Sequence, residues 1–209
     1  MRTIEELERY IADELVWRRK ELTEMRAFVQ SAKGKLTQRV LIRAAVALLY
    51  AHWEGFVKKS GCAYLKFVAG QGINCGNLSY NFLALAGRKL SPGEGGMRLS
   101  VELAKYYSES GLIKAKIPHS NIVDTKSNLG SSALKDILFV LGLEESHFST
   151  KMAFIDSNLV RPRNYIAHGE IININVHEYE NVHAEVLALI EEFRNAVENA
   201  AATKRYLRS

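Results

Sequence analysis

Only two cysteines, Cys62 and Cys75, occur in the chain, which excludes both a disulfide-stapled scaffold and a four-cysteine zinc site. Prolines are almost as scarce, at positions 92, 118 and 162, and so leave long stretches free to be helical. The longest uninterrupted apolar run, residues 44–51, is eight residues, well short of the roughly 20 needed to cross a bilayer. No basic head leads into an apolar core at the start of the chain, so we expect no signal peptide, no membrane partner and a cytoplasmic location. Charge of one sign is also lacking in strong excess. The 28 basic and 23 acidic residues leave a net charge of +5, which permits a polyanionic partner without requiring one.

What is present suits a single globular domain spanning 1–209. Apolar residues make up 47% of the chain and charged residues 24%, too apolar a balance for disorder. A helix start is written at Thr3-Ile4-Glu5-Glu6, where a Thr hydroxyl and a Glu three residues on can satisfy free amides reciprocally. Ile4, Leu7, Ile11, Leu15, Leu22, Met25 and Val29 then recur at helical spacing, with Glu5, Glu8, Arg9, Arg18, Arg19 and Lys20 assigned to the opposite, charged face. Residues 36–68 contain an Ala- and Leu-rich stretch that is apolar all round, the pattern of a buried central helix.

Residues 69–100 hold seven of the fourteen glycines and read as a loop-rich insertion with one short helix over 81–90. Further helices are expected over 101–108, over 131–141 with Gly142 as the stop, from 149 or 150 towards 167 with Gly169 as the stop, and from about 179 onwards. Pro162 should kink or divide the penultimate one. A short extended linker at 171–176 precedes the last helix, and a basic tail (Lys204, Arg205, Arg208) closes the chain. With no convincing strand, the fold class is all-α, a bundle of four to five main helices.

Most motif candidates fail on spacing. The glycines of residues 70–76 miss the dinucleotide fingerprint and no strand precedes them, and no phosphate-loop lysine motif occurs. His177 and Glu178 begin like a zinc-protease helix, but the next histidine, His183, is six residues on and roughly 240° round the helix. Both histidines are therefore assigned to the surface. His119 and His147 have no ligand-spaced neighbours. No metal or cofactor is expected. Glu54, in the central helix, has two readings: a solvent-edge pair with Lys58 four residues on, or a carboxylate facing a polar site where it orients an arginine.

That polar site is written in residues 156–170, Asp-Ser-Asn-Leu-Val-Arg-Pro-Arg-Asn-Tyr-Ile-Ala-His-Gly-Glu. Asn164 and His168, four apart, share a helix face. Arg163 lies roughly 140° from His168 on ideal geometry and must reach it with its long side chain, whereas Arg161, seven before His168, lies on its face. An arginine fork, an amide and a histidine suit a phosphodiester, the first binding non-bridging oxygens and the last moving protons near neutral pH. The bland alternative makes His168-Gly169 a helix C-terminal cap.

Arg163-Asn164-x-x-x-His168 followed by Gly169 resembles the signature of the HEPN superfamily (higher eukaryotes and prokaryotes nucleotide-binding). Tyr50-Ala51-His52-Trp53-Glu54-Gly55-Phe56, Thr125-Lys126-Ser127-Asn128-Leu129 and the 155–170 stretch look like the MAE-type prokaryotic branch. The resemblance implies a helical bundle pairing as a homodimer, with both motifs facing one cleft that cleaves RNA without metal by 2′-hydroxyl attack. On that resemblance His168 would be the acid/base, Arg163 would stabilise phosphorane charge and Asn164 would position substrate, with Arg161 and Glu54 in support. The setting implied is toxin–antitoxin, phage defence or stress, with an antitoxin or other regulatory protein as a further partner. Some superfamily members are non-catalytic binding modules, which is the alternative. Pro162 departs from the helix-friendly residue expected before Arg163.

Overall fold

Helix α1 begins where its capping sequence says it should. Thr3 accepts a hydrogen bond from the Glu6 amide, and the helix runs Ile4–Ser31 with Leu7, Ile11, Leu15, Leu22 and Val29 buried. In the computed structural model of the chain, which describes residues 1–87, 106, 110–126 and 128–208, a turn at Gly34 returns the chain into α2, Thr37–Gly70. This 34-residue helix is the axis of the molecule and packs most extensively on α1 and on the last helix. By length and composition α2 could cross a membrane, but half of its apolar window is buried inside the bundle. It is the core helix that its all-round apolar stretch predicts.

The described α-helices that follow are α3 (Tyr80–Gly87), α4 (Ser131–Leu141), α5 (Met152–Phe154), α6 (Arg161–Ala167) and α7 (Val176–Ala202). No strand forms among the described residues, only isolated bridges pairing Asn74 with Lys114 and Leu78 with Leu207. The all-α expectation holds. Expected helix 101–108 and the glycine-rich loop of 91–96 lie outside the described residues, save for Tyr106. Gly142 ends α4 in the left-handed region (φ 66°), as glycine can without steric cost. Helix α7 carries a full capping box, Asn175 with Glu178.

Aromatic packing ties these helices together. Phe193 of α7 meets Trp53 and Phe56 of α2 edge-on at 6.2 and 6.5 Å, and Phe148 at 6.3 Å. Burying each such ring contributes roughly 1.5–3 kcal/mol. At the far end of α2, Phe67 and Phe82 both pack on Tyr206. The basic tail is thereby folded back: Arg205 pairs with Glu144, and Arg208 lies 4.8 Å over the Tyr80 ring.

Two expected surface residues are inside. Arg18 is 4% exposed, its guanidinium paired with Glu14 and 4.3 Å over the Trp17 ring. The α1–α2 contact is close enough there to cover it, because residue 55 is glycine: a Cβ would come within 3.2 Å of Nη2. His183 is likewise 4% exposed, and burial pushes its imidazole below the ordinary histidine value. His177, by contrast, is exposed as expected.

Candidate functional site

Pro162 does not break its helix, which continues from a wider turn straight into α6. The preceding residues, Ile155–Val160, widen into a π-helical turn, and the Arg161 amide donates five residues back to the Asp156 carbonyl. A proline has no amide to donate and its ring crowds the carbonyl four residues earlier, and a wider turn accommodates both. Buried Pro162 then sits in the first turn of α6, where a missing N–H costs nothing. The penultimate helix is thus continuous in path but changes pitch immediately before the motif.

Helix α6 ends in a Schellman motif. The Gly169 amide donates to the Ile166 carbonyl and the Glu170 amide to the Tyr165 carbonyl at 2.8 Å, with Gly169 at φ 74°. His168 is the C-cap residue. Its amide donates to the Asn164 carbonyl at 3.0 Å, and its side chain is exposed with no hydrogen bond or ion pair to another described residue.

Arg163 turns inward. Its guanidinium donates to the side-chain oxygens of Asn128 and Asn164, the latter at 2.9 Å, and lies 4.6 Å over the ring of Tyr50. A guanidinium on an aromatic face with two in-plane acceptors is fixed in direction while keeping its charge. Arg161, on the face of His168 by sequence geometry, instead stays exposed, 5.8 Å over Tyr165.

The loop carrying Asn128 is held by residues from two helices. The Tyr50 hydroxyl accepts from the Leu129 amide at 2.7 Å. Asp156, in the π-helical turn, accepts from the Ser131 amide at 2.8 Å and from its hydroxyl at 2.6 Å, so it caps α4. Gly130 permits that approach, since a Cβ there would meet the Asp156 carboxylate at 3.0 Å. Burial pushes the Tyr50 phenol up to about 12, opposed by the Leu129 amide and reinforced by the nearby Glu54 carboxylate. The phenol therefore stays protonated at neutral pH. No Glu54–Lys58 ion pair forms among the described residues; Glu54 lies near Tyr50 instead.

Three separated sequence pieces, around residues 50–54, 125–129 and 155–168, thus meet at one corner. Arg163 and Asn164 are brought together against Tyr50, with Glu54 near that phenol; His168 lies one helical turn on, and Arg161 lies outside. Sequence reasoning assigned no role to Asn128, Tyr50 or Asp156, although all three fall within the pieces that carry the family resemblance. Among the described residues, no three His, Cys, Asp or Glu side chains are gathered as metal ligands.

Searches of curated proteins and of solved structures returned no match. A family model, RiboL-PSP-HEPN, matches residues 13–199, which include the corner and all three of its sequence pieces. The placement in the MAE-type branch is carried by the resemblance alone. With the match spanning nearly the whole chain and the Arg-Asn-x-x-x-His corner within it, the chain belongs to the RiboL-PSP-HEPN family of the HEPN superfamily.

Proposed function

We propose that this protein is an endoribonuclease that needs no metal ion, and that Arg163, Asn164 and His168 carry the reaction. The observation behind this reading is the guanidinium held between Asn128, Asn164 and the Tyr50 face, one turn from an exposed histidine. The 2′-hydroxyl attacks phosphorus, the P–O5′ bond breaks, and a 2′,3′-cyclic phosphate and a free 5′-hydroxyl result. Charge accumulating on the non-bridging oxygens meets Arg163. One proton must leave the 2′-oxygen and one must reach the 5′-oxygen. One chain offers a single histidine at the corner, so a two-fold homodimer with facing motifs would supply both base and acid. Ile171 and Val40, 86% and 68% exposed, and Leu36 offer apolar surface at that end of the bundle; the Arg39 bond to Asn173 ties the linker to α2 there.

RNA is the substrate in this reading, in a cytoplasmic toxin–antitoxin, phage-defence or stress setting with a regulatory protein as partner. A second reading, a non-catalytic binding module, is favoured by one observation: no described side chain orients the His168 imidazole. Incubating the purified protein with total RNA, with and without chelator and beside His168→Ala, separates the two. Chelator-resistant cleavage to cyclic-phosphate ends, lost in the variant, supports the nuclease. Binding without cleavage, or cleavage undiminished in His168→Ala, overturns it.

A further inference from the structure

A cleft of about 380 Å³ opens along the C-terminal half of α2, lined by Lys58, Lys59 and Lys66, by Cys62 and Tyr10, and by His119 of the 113–130 loop. Its lining includes no carboxylate, and the three lysines are exposed and make no ion pair with a described residue. Three ammonium groups along one cleft without a lining carboxylate make its local charge positive, which suits an anionic occupant.

Two features relate the cleft to the Arg163 corner, although none of the corner residues lines it. Tyr50, Glu54, Lys58, Cys62 and Lys66 follow one another at four-residue spacing, the slowly winding row of a helix surface. The same loop that places His119 in the cleft passes Val123 over Gly61, within 3.0 Å of where a Cβ would lie, and delivers Asn128 to Arg163. From Tyr50 to Lys58 is about 12 Å of helix, a distance that a few nucleotides cover.

We propose that this lysine cleft holds the phosphate backbone of single-stranded RNA running on from the Arg163 corner, so that it sets the length of RNA bound. The proposal rests on the reading of that corner as an RNA site. A positively charged groove following the backbone is the general solution for sequence-tolerant binding of single strands.

The test uses full-length protein and labelled 2′-O-methyl oligonucleotides, which lack the attacking hydroxyl, of about 4 and about 12 nucleotides, within the range of single-strand site sizes. Lys58→Gln, Lys59→Gln and Lys66→Gln together should weaken the longer probe roughly tenfold or more at low salt. They should also make its salt dependence shallower by about 2 in log–log slope, near 0.7 per phosphate contact. The short probe, which reaches no further than the near end of the cleft at Lys58, should weaken much less, and a control triple at the exposed lysines 20, 33 and 35 should change neither. Equal weakening by both triples, or no length dependence in the wild type, overturns the cleft while leaving the nuclease reading intact. Binding of the longer probe that needs the lysines but is indifferent to Arg163→Ala overturns the continuous track. Tighter lysine-dependent binding of a polyglutamate peptide would make the cleft a protein-docking site and overturn it too.

Discussion

Two arginines, Arg18 and Arg163, each rest on an aromatic ring at nearly the same height, 4.3 Å over Trp17 and 4.6 Å over Tyr50. Their acceptors differ. Arg18 is almost fully buried and paired with the Glu14 carboxylate, an arrangement that neutralises it. Arg163 is half-buried, and the acceptors described for its guanidinium are two uncharged amide oxygens, which aim it. The first arrangement stabilises a helix contact. In the function proposed above, the second keeps a cation directed towards an incoming anion. Residue type does not distinguish these roles; the charge of the acceptor and access to solvent do.

The sharpest way to break this comparison is to truncate each arginine. Arg18→Ala leaves the partly exposed Glu14 without its partner and removes a buried side chain from the α1–α2 contact, so thermal or urea unfolding should show a loss of about 1–3 kcal/mol. Activity per folded molecule should be unchanged. Arg163→Ala should show the reverse pattern. RNA cleavage should fall roughly 10²-fold or more, about 2.7 kcal/mol in transition-state stabilisation, while helical circular dichroism and melting temperature hold. Arg163→Lys should rescue poorly, because a point charge cannot reproduce the fork. His168→Ala should lose a similar factor, and Arg161→Ala much less. An Arg163→Ala protein that unfolds at lower temperature but cleaves normally would erase the distinction.

A smaller effect is expected one bond away. Asn128→Ala removes an acceptor that positions Arg163, and cleavage should drop about tenfold, the scale of one lost hydrogen bond to a charged group. The loss should appear in kcat more than in KM. A fall in stability with unchanged kcat would make Asn128 a loop residue only.

The smallest effect concerns pH and the Arg18 side of the pair. Burial holds the His52 imidazole below its ordinary value, and Arg18 adds to this while Glu21, 2.8 Å away, opposes it. Protonation therefore favours the unfolded chain. The stability His52 contributes is complete above its unfolded value, about pH 6.5, and declines as pH falls below it, by at most about 1.4 kcal/mol per pH unit. His183, shifted the same way, adds a second such contribution. Melting temperature measured from pH 7.5 to 5 should fall on the acid side, and His52→Gln should flatten the curve. Melting that is independent of pH in the wild type would contradict both assignments.

Local patterning in the sequence determined the helices that carry their own signals. The Thr3 cap, the stripe of α1, the apolar run of α2, and the stops at Gly142 and Gly169 are all decided within a few residues, by amide satisfaction, periodicity and the tolerance of glycine for positive φ. The motif residues Arg163, Asn164 and His168 were equally legible, since all lie within six positions. Which arginine turns inward was not legible. Ideal helical geometry puts Arg161 on the face of His168, but Arg163 finds Asn128 and Tyr50, which are 35 and 113 positions away in the chain. The burial of Arg18 and His183 was equally hidden, because each depends on what another helix places opposite. Periodicity says which face a side chain is on; only the packed neighbour supplies the acceptor, the aromatic surface or the loss of water that gives it a role.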